Sequence, residues 1–148
     1  TASGAVEDTL APGEVVPVGR VLDFQYERPD GSPALLDGTD VALLTTLGWG
    51  GAGADAAGAT HASVGGPQYE TPAELAVLQA FGAQTVSMSP AAEVRAAHDE
   101  GMALAVLAVV ANAGDTTHEE VLIGSARAGR ALGVMIRAVL TAWASPGA

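Results

Sequence analysis

The sequence contains no cysteine and no lysine. Without thiols there is no disulfide, no thiolate metal site and no cysteine nucleophile, which fits the cytoplasmic protein we expect. Six arginines stand against 17 acidic residues, for a formal net charge of −11. A polyanion such as nucleic acid therefore finds no electrostatic footing over the surface as a whole. The ordinary reading of that balance is a solvated acidic surface that aids solubility, and any anion site must rest on local donors. No apolar run is long enough to span a membrane, and no basic segment precedes an apolar stretch near the N-terminus. Metal-ligand spacing, a glycine-rich phosphate loop of the P-loop or dinucleotide kind and a Ser/His/Asp ordering are all missing too. We expect neither metal nor cofactor.

What is present points to a folded domain. Hydrophobic residues make up 49% of the chain, too many for a disordered tail. A length of 148 residues is enough for one domain with a sizeable core, and we read 1–148 as a single domain. The numbered chain opens on Thr1 rather than methionine, so we expect a processed polypeptide or a piece of something longer.

Residues 14–24 are rich in Val and Leu and follow the turn Ala11-Pro12-Gly13, which predicts one or two short strands. Residues 25–59 carry scattered Gly, Pro and Asp with a weak apolar patch at 41–47, and read as an irregular loop. His61-Ala62-Ser63-Val64 predicts a short strand entering a Gly65-Gly66-Pro67 turn. Thr71-Pro72-Ala73-Glu74 is a capping box that opens a helix through Leu75, Leu78 and Phe81 to Gly82. Thr85–Met88 predicts a strand running into a helix capped by Ser89. Residues 102–110 form a continuous apolar run, as in a strand covered on both faces. Thr117-His118-Glu119-Glu120 is a third capping box, starting a long helix with Val121, Ala128, Leu132, Met135, Val139 and Trp143 on one stripe and Arg127, Arg130 and Arg137 off it. The alternation of strands and helices implies an α/β fold: three layers, with a mixed, mostly parallel sheet flanked by helices.

Ligands of such sheets gather where strand ends lead into helix starts. Three junctions carry residues that local structure does not require. Tyr69 and Glu70 precede the capping Thr71; an aromatic face beside a carboxylate suits a flat heterocycle with N–H donors, and a surface turn with a core tyrosine is the plain alternative. Ser89 offers a hydroxyl near free backbone N–H groups, either as an anion site or as an ordinary cap. Asn112 ends the most apolar strand and can donate and accept at a purine edge, with His118 six residues on to hold a hydroxyl or simply face water. Glu74 is assigned to capping and His98 to a solvated helix face. His61 finds no place in this scheme.

Taken together, Gly66-Pro67-Gln68-Tyr69-Glu70-Thr71-Pro72-Ala73-Glu74, Met88-Ser89 with Glu93-Val94, Asn112, and His118-Glu119-Glu120-Val121 resemble, in order, the motifs of the trimeric purine nucleoside phosphorylases. The opening Thr1–Ala5 resembles the family's segment that enters the purine pocket. The resemblance spans nearly the whole chain but only the second half of the family's fold. It implies phosphate-dependent cleavage of 6-oxopurine nucleosides to free base and pentose 1-phosphate, with inorganic phosphate as co-substrate. It also implies roles: Asn112 donating to purine N7, Glu70 holding the N1 edge, Tyr69 against the base, Met88 at the ribose, Ser89 at the phosphate, His118 at the 5′-hydroxyl and the Ala2 backbone near phosphate and ribose. Asn at 112 with Glu at 70 points to hypoxanthine or guanine nucleosides. A homotrimer, or association with the N-terminal half of the family's fold, is implied as well. Departures are Ala111 where the family has Thr, Ser87 where it has Gly, and no counterpart of the family's serine-rich phosphate loop, arginine and histidine. A nucleoside hydrolase or a repurposed biosynthetic enzyme on the same scaffold, and a nucleoside-binding subunit without catalysis, are the alternatives.

Overall fold

The computed structural model describes residues 1–7, 9–26, 28–40, 43–44, 58–113 and 118–144, with only the backbone given at positions 118, 120, 127, 131, 139, 142 and 143. Its strands are β1 (Ala2–Ala5), β2 (Val15–Asp23), β3 (Ala34–Asp37), β4 (Ala59–Ser63), β5 (Thr85–Ser87) and β6 (Leu107–Ala113). Its helices are α1 (Pro72–Ala80), α2 (Ala91–Asp99) and α3 (His118–Trp143).

The strands form one sheet in the order β3-β2-β4-β5-β1-β6, and β2 also pairs with β6. β2 makes this possible by its length. Val15, Val16 and Pro17 pair with β6, and Val18 to Asp23 pair with β4. The ladder thus closes through β2, β4, β5, β1 and β6, with β3 appended antiparallel along the later part of β2. Pairing is parallel for β2–β4, β4–β5 and β1–β6, and antiparallel for β1–β5, β2–β3 and β2–β6. The parallel pairs are those joined through helices or long crossovers, as the alternation of elements implied.

Successive residues of a strand point to opposite faces. On β2, Val21 enters a cluster with Val94 and Ala91 of α2, Val18 and Ala108. Its neighbour Leu22 enters a second cluster with Leu78 of α1, Ala62, Ala83 and Val86. Helices therefore cover both faces of the sheet, which is the layered α/β arrangement read from the sequence. Asp23 at the end of β2 is fully buried and paired with Arg95 of α2. The Arg95 guanidinium also lies 5.9 Å from the Tyr26 ring centroid.

The Thr71 capping box forms as read, with Thr71 N–H donating to Glu74 (2.7 Å) and Glu74 N–H to Thr71 Oγ1 (3.3 Å). Hydrogen bonds from the Thr71 backbone and hydroxyl hold the Glu74 carboxyl below its ordinary range.

Several expectations are corrected. The region 25–59 contains β3, because Ala34–Asp37 finds β2 as a partner although four residues are too few to show alternation. Its apolar patch lies largely outside the described residues. The apolar run 102–110 is strand only from Leu107. Before that, Asp40 N–H takes the Leu104 carbonyl (2.7 Å) and the Thr39 hydroxyl caps both backbone groups of Val106. Helix α2 is capped by Pro90 without a side-chain bond, not by Ser89, whose hydroxyl is engaged elsewhere. The box at Thr117 lies outside the described residues, as do the side chains of His118, Arg127, Val139 and Trp143.

Helix α3 lies on β6. Ala128 is buried, while Val121, Leu132 and Met135 are half-buried on the same stripe. Arg130 and Arg137 face solvent, joined there by Leu122, Ile123, Val134, Ile136 and Leu140. No helix among the described residues is long and apolar enough to cross a membrane.

Close packing of α3 on β6 requires Gly124, where a Cβ would run into the carbonyl oxygen of Ala111. Gly124→Ala should destabilise by about 1–3 kcal/mol through forced separation of helix and strand. Equilibrium denaturation of both proteins measures this, and an unchanged midpoint would show that α3 docks elsewhere.

A titratable side chain sits at the centre of the sheet. His61 is fully buried on β4, between Thr85 Oγ1 (2.8 Å to Nδ1) and the Ser89 carbonyl (2.8 Å to Nε2). Burial, the largest influence, lowers its pKa to about 4, opposed by the bond to Ser89. The unfolded chain takes up this proton near pH 6.5, and the fold refuses it until about pH 4. Stability should therefore fall as pH drops through that window, by about 3 kcal/mol at full extent, and the His61 contribution should level off below it. Denaturation of wild type and His61→Gln across this range checks it: the histidine-dependent slope must vanish in the variant.

Candidate functional site

Strand β1 is the floor of a concavity among the described residues. It lies between β5, antiparallel, and β6, parallel, so that Gly4 stands opposite Val86 on one side and Asn112 on the other. Running from Thr1 to Ala5, it passes from the Ser87–Ser89 end of β5 to the Asn112 end of β6. The resulting cavity, about 490 Å³, is lined by Thr1–Ala5, Val86–Ser89, Ala111 and Asn112, by Tyr69, Glu70 and Leu75 from the approach to and first turn of α1, and by Val121 and Ser125 of α3.

Six of the seven site residues read from the sequence meet here: Asn112, Glu70, Tyr69, Met88, Ser89 and Ala2. The seventh, His118, opens α3, but its side chain lies outside the described residues. Each position has a local cause. The capping box begins α1 at Thr71 and leaves Glu70 and Tyr69 before the helix. Asn112 is the penultimate residue of β6, and its amide lies over Gly4, where an added Cβ would come within 3.2 Å of Nδ2. A side chain at position 4 would therefore crowd the amide. The Glu70 carboxylate and the Asn112 amide have no protein partner among the described residues, so both are available to a ligand. Tyr69 and Met88 present exposed apolar surface to the same space.

At the other end of β1 stands a group of hydroxyls. Thr1 Oγ1 lies 2.8 Å from Ser89 Oγ and 3.1 Å from Ser87 Oγ. The Ser87 hydroxyl also donates to the Ser89 carbonyl. His61 stands behind them, with Nε2 3.0 Å from Ser87 Oγ. The carbonyl of Met88 is held from outside by Gln25, whose Nε2 donates to it and to the Val64 carbonyl, both at 2.8 Å. No arginine is among the lining residues, and Glu70 is the one formally charged side chain among them.

Sequence reasoning missed Thr1, Ser87, Ser125 and the buried His61. For Ser125 a signal existed: it stands four residues after Val121, hence on the same helix face. For His61 the signal was subtler. His61-Ala62-Ser63 and Thr85-Val86-Ser87 have polar residues at matching alternate positions, and the register pairs His61 with Thr85 and Ser63 with Ser87. A polar stripe on one sheet face follows from period-two alternation once that register is known.

A model of the phosphorylase superfamily matches residues 1–141. The chain is 32% identical over 141 residues to a probable 6-oxopurine nucleoside phosphorylase of Moorella thermoacetica, covering 82% of this chain and 54% of that protein. It is 37% identical over 86 residues to a purine nucleoside phosphorylase of Mycobacterium tuberculosis, covering 54% of this chain and 32% of the relative. Thus it spans about half, or less, of the length of these relatives. Among solved structures, methylthioadenosine phosphorylase from Schistosoma mansoni in complex with adenine superposes with a TM-score of 0.77 at 16% identity, over 99% of this chain and 65% of the other. A schistosoma purine nucleoside phosphorylase in complex with hypoxanthine gives 0.69 at 22% identity, over 94% and 59%. At these identities the structural likeness bears on the fold, and the fold agrees with the match along the sequence: this chain belongs to the phosphorylase superfamily.

Proposed function

We propose that the cavity binds a 6-oxopurine nucleoside and that the chain serves a purine nucleoside phosphorylase, a pentosyltransferase of cytoplasmic purine salvage. The observation that carries this reading is the convergence of a carboxylate, Glu70, and an amide, Asn112, both without a protein partner among the described residues, on one cavity beside Tyr69. Glu70 accepts from the N1–H edge of hypoxanthine or guanine. Asn112 donates to N7, where negative charge develops as the base leaves, so its bond strengthens on the way to the transition state. Tyr69 packs on the base and Met88 on the ribose. The Ala2 backbone lies between ribose and phosphate, and His118 takes the 5′-hydroxyl.

The phosphate end falls at Ser89, with Thr1 and Ser87 as further hydroxyls. From Thr1 to Gly4 the strand advances three steps of about 3.3 Å, roughly 10 Å. That span suits a pentose lying between an attacking phosphate and the imidazole ring of the base. Phosphate attacks the anomeric carbon, the glycosidic bond breaks, and its electron pair leaves with the purine, which takes a proton at the ring.

Hydroxyls alone are a weak hold on a dianion, and no cationic side chain lines this cavity among the described residues. The reading therefore includes assembly, as a homotrimer or with a polypeptide carrying the N-terminal half of the family's length. The apolar side chains exposed on α3 support such a contact. Robust phosphate-dependent cleavage of inosine by a monomer of this chain would overturn that part.

Glu70→Gln and Asn112→Ala should each lower turnover of inosine on the order of 10²-fold in the assembled enzyme, about 3 kcal/mol in the barrier. Calorimetric binding of hypoxanthine should weaken in parallel, with melting temperatures little changed. Wild-type binding and rates in either variant would remove that residue from the site. Release of free ribose without phosphate consumption would instead identify a hydrolase.

A further inference from the structure

The segment Met88–Ser89 forms the rim of the cavity at its hydroxyl end, yet it belongs to neither β5 nor α2. Its two consecutive carbonyls are both gripped by side chains from other parts of the sheet. Gln25, just beyond β2, donates to the Met88 carbonyl (2.8 Å). His61, inside β4, stands 2.8 Å from the Ser89 carbonyl.

A carbonyl oxygen only accepts, so the ring nitrogen facing it carries the proton. Nε2 is therefore the N–H of His61, and Nδ1 is the acceptor, taking the hydroxyl proton of Thr85 at 2.8 Å. The Ser87 hydroxyl donates to the same Ser89 carbonyl. The Ser89 carbonyl is thus held from two sides, and its hydroxyl lies 2.8 Å from Thr1 Oγ1. His61 itself does not line the cavity. Burial keeps the ring neutral, so it acts by direction and not by charge.

We propose that His61 is a positioning residue of the anion-binding end: its Nε2–H fixes the Ser89 carbonyl and so aims the Ser89 hydroxyl at the phosphate. This rests on the nucleoside phosphorylase reading of the cavity for the identity of the anion. It assigns a use to a buried titratable side chain that the reaction itself leaves idle. It also separates the two ends of the site, because nothing in this network reaches Glu70 or Asn112.

The test uses the assembled protein, with this chain as wild type and as two variants. His61→Leu removes the donor; His61→Gln can return an N–H to the place of Nε2. Inorganic phosphate is titrated while the Ser89 amide signal is followed by nuclear magnetic resonance, and hypoxanthine is titrated in parallel. His61→Leu should weaken phosphate roughly fivefold to tenfold, as expected for loss of one orienting hydrogen bond, while hypoxanthine affinity stays within about twofold. His61→Gln should recover most of the phosphate affinity. Nitrogen-15 shifts of the wild-type ring near neutral pH should show the proton on Nε2.

Unchanged phosphate binding in His61→Leu, equal weakening of both ligands, or no recovery in His61→Gln would overturn the proposal. So would a proton found on Nδ1. If His61→Leu does not fold, His61→Asn takes its place, since its shorter amide reaches towards Thr85 and not Ser89, and it should lose phosphate affinity as Leu would. If wild type binds neither ligand, the nucleoside reading falls. The ring tautomer, together with the Ser89 carbonyl carbon shift in His61→Gln, still decides whether the ring holds that carbonyl.

Discussion

The register of β1 between β5 and β6 is the constraint from which the site follows. Gly4 stands opposite Val86 and Asn112 at once, so the three strands share one row across the sheet. Because β1 is antiparallel to β5 and parallel to β6, moving along it leaves the hydroxyls of Thr1, Ser87 and Ser89 behind and approaches the Asn112 amide. A slip of one residue would turn every β1 side chain to the opposite face and separate these groups. Closure of the ladder through β2 adds to this, since β6 is held on both sides, by β1 and by the start of β2. The geometry of the cavity is thus a property of backbone pairing, and the side chains that line it inherit their spacing from the ladder.

The second organising feature is polar and lies beneath the first. Fully buried polar groups are costly unless partnered, and His61 finds an acceptor and a donor that together fix its tautomer. Thr85, Ser87 and Ser89 are all engaged with that ring or with each other. The buried Asp23 forms a separate pair with the half-buried Arg95 at the end of β2, from which the backbone turns to bring Gln25 onto the Met88 carbonyl. The cavity rim between β5 and α2 is therefore held by polar contacts on both flanks while the apolar clusters lie under α1 and α2.

How much of this was legible depended on whether the determinant was local. The Thr71–Glu74 box, the strand at His61–Ser63 and the long amphipathic α3 are set by short-range chemistry, and the sequence announces them. Glu70, Tyr69 and Asn112 stood out because the elements beside them did not need them. Strand β3 was illegible, since four residues between Pro33 and Gly38 become a strand only when β2 offers its edge. The start of β6 was misread for a related reason: Met102 to Val106 is as apolar as a strand, but Thr39 and Asp40 from a distant loop take its backbone groups. Ser89 looked like a cap because a serine before Pro90 and a helix usually is one, and nothing local shows that Thr1 competes for its hydroxyl. Closure of the ladder, which depends on β2 serving β6 first and β4 afterwards, has no signature in periodicity.

The charge of the chain and the make-up of the cavity bear on each other. At −11 the molecule repels anions in general, and screening confines the effect of surface carboxylates to about 8 Å at physiological ionic strength. Among the described side chains that line the cavity the formal charge is that of Glu70, and the hydroxyl end has no charged side chain and is backed by an imidazole whose burial keeps it from gaining a proton. Such an end selects by the direction of its donors and contributes little raw attraction. A carboxylate that receives N–H groups from a heterocycle tolerates a negative environment, since its ligand is neutral and polarised the right way. A phosphate dianion does not, and a hydroxyl donor gives it much less than a guanidinium would. On the proposed reaction, then, this chain reads the base and aims the anion, and the positive charge that makes the anion's stay favourable belongs to a surface that packs against it.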